Sequence, residues 1–138
     1  MPRRDTGTGG VLEQMVLPAL RHGDYACRTQ VKVGKRPGGG RHMADVVAEK
    51  EGRSWVISLK WQQVLGTAEQ KVPFEVISLA ELLEEGTYAG AYLVLGGDGW
   101  TLRDYFTGGG LHKHLIHADR VQILTLEQFI AKANQGRL

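Results

Sequence analysis

With 138 residues, the chain has room for one domain with a real core and none for a catalytic domain plus a separate recognition domain. Seventeen Lys and Arg against fifteen Asp and Glu leave a net charge of only +2, so the distribution of charge carries more information than its total. A single cysteine, Cys27, excludes an internal disulfide framework and a cysteine-rich zinc site, and fits a reducing cytoplasm. No apolar run approaches the ~20 residues that span a bilayer, and MPRRDTGTGG lacks the apolar segment of a signal peptide. The expectation is an intracellular, cytoplasmic protein with no membrane partner.

Residues 1–8 are polar and glycine-rich and are expected to be disordered. From Val11 to Arg21, apolar residues at 12, 15, 16, 19 and 20 form a one-sided helical stripe that Pro18 shortens or kinks. Glu13 sits in the first turn, where a carboxylate favours the helix dipole. A turn and a strand follow through Val33, and then Gly34–His42 reads as a flexible basic loop, because three glycines after Pro37 fit no regular element. Arg28–Arg41 holds five Lys or Arg and no acid. The loop lacks the G-x-x-x-x-G-K-[ST] pattern and a following helix, which rules out a P-loop. Lys35, Arg36, Arg41 and His42 are read as a flap that contacts DNA phosphates, in competition with an ordinary solvated hairpin loop.

Ala44–Gln62 (ADVVAEKEGRSWVISLKWQ) reads as two antiparallel strands broken at Glu49–Arg53. A turn centred on Glu51 and Gly52 pairs residues whose numbers sum to about 103. Asp45 then faces Ser58, with Lys60 one step further along the same face. Such an end could hold a divalent cation on its carboxylate and use its lysine to orient a water or offset phosphate charge. Gln62, on that face, could bind a water or a phosphate oxygen, although a lone strand-end amide is more often structural.

Thr67–Gln70 has the form of a capping box that opens a helix carrying Val72, Val76, Leu79 and Leu83 at core spacing, bent at Pro73. Glu69 and Glu75 flank the buried stripe, while Glu81, Glu84 and Glu85 point away. Tyr88–Leu95 is an apolar strand covered on both faces. Leu102–Leu115 is a helical region interrupted by three glycines, Val121–Leu124 a short strand, and Thr125 caps the last helix. His112, His114 and His117 do not share a helical face and lack a fourth ligand, so weak polyanion contact is preferred to a zinc site. Trp55, Trp61 and Trp100 are assigned to core or interface. The order gives one α/β domain over 1–138, a mixed central β-sheet flanked by helices.

An aspartate entering a strand, a short hairpin and then Val56-Ile57-Ser58-Leu59-Lys60 resembles the PD-(D/E)XK nuclease superfamily over roughly residues 8–95. The acid that pattern places two residues before the lysine is Ser58 here. A minority of restriction endonucleases look similar, with Ser-x-Lys and a replacement glutamate on the following helix, which points to Glu75 or Glu69. The resemblance implies a restriction-endonuclease-like fold and a Mg²⁺-dependent DNA endonuclease in which Mn²⁺ can substitute. Asp45 with one or more of Glu13, Glu69 and Glu75 would hold the metal, Lys60 would handle the attacking water, and Ser58 would add a weak neutral ligand or a hydrogen bond. Cutting both strands from a small chain implies a homodimer or higher homo-oligomer. The alternatives are a catalytically weak or inactive DNA-binding or assembly module on the same fold, and a structure-specific Holliday junction resolvase.

Overall fold

The computed structural model describes residues 8–138, with the backbone alone for Thr8. The expectation of disorder for residues 1–7 falls outside the described residues, whereas Thr8 opens a helix. In chain order the elements are α1 (Thr8–Val11), a π-helical turn (Leu12–Val16), α2 (Leu17–His22), β1 (Ala26–Lys35), β2 (Arg41–Lys50), β3 (Arg53–Trp61), α3 (Ala68–Leu83), β4 (Gly90–Gly96), α4 (Arg103–Thr107), a 3-10 turn (His112–His114), β5 (Val121–Thr125) and α5 (Leu126–Asn134). The five strands form one sheet in the order β1-β2-β3-β4-β5. Pairing is antiparallel from β1 to β3 and parallel from β3 to β5, so the sheet is mixed, as expected.

The β2–β3 hairpin has the anticipated register. Pairs run from Val46↔Ile57 to Lys50↔Arg53, each summing to 103. Glu51 and Gly52 both take positive φ, 54° and 79°, the two-residue turn whose twist suits a tight hairpin. The N-terminal helix differs from its reading. Pro18 has no N–H to give, and the turn before it widens, with Leu17 N–H bonded to the Leu12 carbonyl. That extra residue moves the stripe: Leu12, Val16, Leu17, Ala19 and Leu20 are buried while Met15 is exposed.

Two apolar layers sandwich the sheet. One joins the N-terminal helices and α5 to Val46, Ala48, Trp55, Ile57, Leu59, Tyr92 and Val94. The other joins α3 to Val47, Val56, Ala91, Leu93, Leu95 and Ile123. Strands β3 and β4 thus alternate strictly between the layers, and every residue of β4 is buried. The outer hairpin does not alternate. Ala44 packs with α3, yet Val46 packs on the opposite layer; likewise Cys27 belongs to one layer and Val31 and Val33 to the other. The change of face falls at Gln30, at φ 52°, and at Asp45 opposite it, where the ladder skips a pair between Thr29↔Val46 and Val31↔Ala44. A left-handed residue in a strand bends it and rotates the segment beyond the bend. The β1–β2 tip therefore faces α3.

The capping box read at Thr125 is present, with Gln128 N–H donating to Thr125 Oγ1 and Gln128 Oε1 accepting from Thr125 N–H. The one read at Thr67 is not: Thr67 makes no side-chain cap. Among the described residues no helix is long and apolar enough to cross a membrane.

Candidate active site

Asp45 stands where β2 leaves β3. The ladder stops at Val46, and in its place the Asp45 carboxylate accepts the Leu59 N–H at 2.7 Å, so the side chain holds the fork open while satisfying a backbone donor. Ser58 and Lys60 follow on the α3 side of β3, Ser58 buried and Lys60 half-buried. Glu75 points from α3 into the same space and is 3% exposed. Burial pushes the Asp45 carboxyl above its ordinary value, opposed by the Leu59 N–H and the Lys60 charge and reinforced by the Glu75 charge. Burial would raise Glu75 too, but hydrogen bonds from His42 and Arg36, with the charges of Lys60 and Arg36, outweigh it and hold Glu75 at about 2. Lys60 thus acts on both carboxylates.

Glu75 is fully engaged. Arg36 Nη1 donates to its Oε1 at 2.5 Å and His42 Nε2 lies 3.4 Å from its Oε2. His42 is completely buried, so its assignment to DNA contact is corrected: the face change at Asp45 turns it inward onto α3. Arg36 is likewise turned onto Glu75, while Lys35 and Arg41 are exposed. The loop read as Gly34–His42 is shorter than expected. Lys35 and Arg41 pair in the strands, and Arg36 N–H to Gly40 O, 2.7 Å, closes the turn.

The remaining site candidates lie apart from this cluster. Glu69 accepts the Thr101 and Leu102 N–H groups, the latter at 3.0 Å, and so pins the entry to α4. Glu13 is exposed on the π-helical turn and makes no ion pair or side-chain hydrogen bond among the described residues. Gln62 is a buried clamp rather than a free amide: its Nε2 donates to Gly99 O at 2.7 Å and its Oε1 accepts Ala68 N–H at 2.9 Å. It supplies the α3 cap that Thr67 does not. Gly97, at φ 90°, and Gly99 let the following loop close onto the Gln62–Val64 backbone. Gln62→Ala should therefore cost about 1–3 kcal/mol through a buried Gly99 carbonyl and a half-buried Ala68 N–H left unpaired, seen as a lower urea midpoint. An unchanged midpoint with lost activity would return Gln62 to a direct role.

The histidines after the triglycine do not converge. His112 Nε2 bonds the Val121 carbonyl at 2.6 Å, and His117 lies 3.8 Å from Glu84. Trp55 is a core residue, edge-on to Tyr25 at 5.6 Å. Among the described residues no group of three His, Cys, Asp or Glu side chains is placed to hold a metal. The donor set beside Lys60 is Asp45 and Glu75. A hard cation that keeps waters and takes substrate phosphates needs only one or two carboxylates, so Asp45 and Glu75 are the residues that could hold a divalent cation.

The mixed five-stranded sheet flanked by helices is a restriction-endonuclease-like α/β fold. The sequence matches the model of the PD-(D/E)XK nuclease superfamily domain over residues 4–137, and the chain belongs to that superfamily. Members of this superfamily generally use divalent metals. Among solved structures it is similar to a protein of unknown function (14% identity, 80% of this chain and 54% of that one, TM-score 0.49). It is also similar to SfsA of Pyrococcus furiosus in complex with Ca²⁺ (16% identity, 83% and 52%, TM-score 0.44). A third is the small subunit of the heterodimeric restriction endonuclease R.BspD6I (18% identity, 83% and 61%, TM-score 0.42). The chain spans 52–61% of the length of these structures. No curated protein matches its sequence.

Proposed function

We propose that this chain, as a single domain, is a Mg²⁺-dependent DNA endonuclease that hydrolyses phosphodiester bonds, with Mn²⁺ able to substitute. The observation that carries the reading is the convergence of Asp45, Lys60 and Glu75 at the fork between β2 and β3. Asp45 and Glu75 would hold the ion, which supplies a water of lowered pKa and neutralises charge developing on the phosphate. Lys60, flanked by both carboxylates, orients that water and offsets negative charge in the transition state. Lys35 and Arg41, exposed at the base of the β1–β2 turn, contact backbone phosphates. Cutting both strands requires two sites, which a homodimer or higher homo-oligomer would provide.

A second reading, a DNA-binding module without chemistry, is favoured by Ser58 in place of an acid and by the engagement of both Glu75 oxygens. Plasmid DNA incubated with the protein and Mg²⁺ or Mn²⁺ separates the two. Cleavage that EDTA abolishes is the expected result, and binding without cleavage in either ion would transfer the assignment to the second reading. Preference for four-way over linear duplex DNA in the same assay would make the enzyme a junction resolvase.

A further inference from the structure

Of the two side chains that bond the buried Glu75 carboxylate, His42 is buried and Arg36 reaches solvent. The Glu75 side chain is 4% exposed, whereas that of Arg36, bonded to it, is 26% exposed. The Arg36 backbone is fixed: its N–H donates to Gly40 O at 2.7 Å and its carbonyl accepts Gly39 N–H at 2.9 Å. A swing of the guanidinium therefore needs rotation of the side chain alone, with the hairpin left in place. The neighbouring cations, Lys35 and Arg41, are already exposed on the same turn.

Charge constrains what such a swing requires. With His42 counted as neutral, Asp45 and Glu75 against Lys60 and Arg36 sum to zero. Withdrawing Arg36 alone would leave a buried carboxylate short of its counter-charge, which is costly. Adding a divalent cation while Arg36 stays would leave an excess of two positive charges in a half-buried space. Exchange of one cation for the other keeps Glu75 paired and cuts the excess to one positive charge, which a bound phosphate offsets. The released guanidinium has five donors in a planar fork, the geometry that binds a phosphate with two hydrogen bonds.

Resting on the proposed function, we propose that Arg36 is an exchangeable occupant of the site: it holds Glu75 until a divalent cation takes that carboxylate, and the freed guanidinium then binds a DNA phosphate. Metal and DNA consequently bind with positive coupling, each raising the affinity of the other by the same factor. Without DNA the ion must displace Arg36 with no new partner for it, so the ion binds weakly and the free protein is held in an idle state.

The test measures Mn²⁺ binding by its EPR signal, on the full chain, alone and with a short duplex checked intact by gel afterwards. Wild type should bind Mn²⁺ about tenfold tighter with DNA than without it. Arg36→Gln should bind it about tenfold tighter than wild type in the absence of DNA, and DNA should then add little. An Arg36→Gln protein that binds Mn²⁺ no tighter than wild type overturns the exchange. Glu75→Gln separates this failure from failure of the functional reading: loss of binding there with an unchanged Arg36→Gln sinks the exchange alone. No Mn²⁺ binding in wild type or Arg36→Gln, or binding indifferent to Glu75→Gln, sinks both. If Arg36→Gln melts far below wild type, Arg36→Lys takes its place. It keeps a charge but loses the fork, and it too must bind Mn²⁺ tighter than wild type without DNA for the exchange to stand.

Discussion

Asp45→Asn should lower Mg²⁺-dependent DNA cleavage by roughly three orders of magnitude, and Lys60→Met by roughly two to three, with duplex affinity measured by fluorescence anisotropy in the absence of divalent metal nearly unchanged. The choice of variant rests on the fork. Asp45 accepts the Leu59 N–H at 2.7 Å, and Asn keeps an acceptor there, whereas Ala would leave a buried donor unpaired at about 1–3 kcal/mol and confuse lost chemistry with lost structure. Lys60→Met keeps the aliphatic stem that crosses the half-buried wall and removes the charge that acts on both carboxylates. Groups that act mainly in the transition state change rate and leave ground-state affinity alone. Near-normal cleavage by either variant would remove the Asp45–Lys60 pair from the mechanism.

The sequence carried much of this site because the hairpin is local. Alternating apolar residues and the Glu51–Gly52 turn determine the 103 register, and that register places Asp45 beside the Ser58–Lys60 stretch without further information. The order of elements and the Thr125 cap were equally legible, each resting on residues a few positions apart, and the mixed sheet followed from that order. What was not legible depends on distant partners or on a backbone state that composition does not reveal. Gln30 at φ 52° carries no signature, since glutamine is not a left-handed residue by preference, yet it turns the hairpin tip so that His42 is buried and Arg36 meets a helix 39 positions on. Strict alternation would have put His42, Ala44 and Val46 on one face. Thr67 to Gln70 matched a capping box by pattern, but Gln62 took the helix N–H first and Glu69 went to the Thr101 loop. For Glu75, core spacing on α3 placed the carboxylate beside the buried stripe, but its partners could not be read from the sequence.

Glu75→Gln should impair Mg²⁺-dependent cleavage as severely as Asp45→Asn, and Ser58→Ala should change it little, because Glu75 is the second carboxylate acting on Asp45 and facing Lys60. The same substitution has a stability signature that does not depend on catalysis. The folded carboxyl is held at about 2 against an ordinary 4.5, so the folded state binds its proton later than the unfolded chain does. That difference contributes about 3 kcal/mol above pH 4.5, a contribution that fades as the pH falls from 4.5 towards 2. Urea midpoints of wild type should therefore fall between pH 6 and pH 3, and those of Glu75→Gln should fall less, since glutamine still accepts from Arg36 but has no proton to gain. Asp45 works in the opposite direction: its carboxyl is raised, so protonation on acidification relieves the folded state, which leaves Glu75 to set the loss. Parallel pH profiles for wild type and Glu75→Gln would show that Arg36 and His42 do not hold this carboxylate in its charged form. Cleavage unaffected by Glu75→Gln would take Glu75 out of the metal site and leave the ion to Asp45 with waters and substrate phosphates.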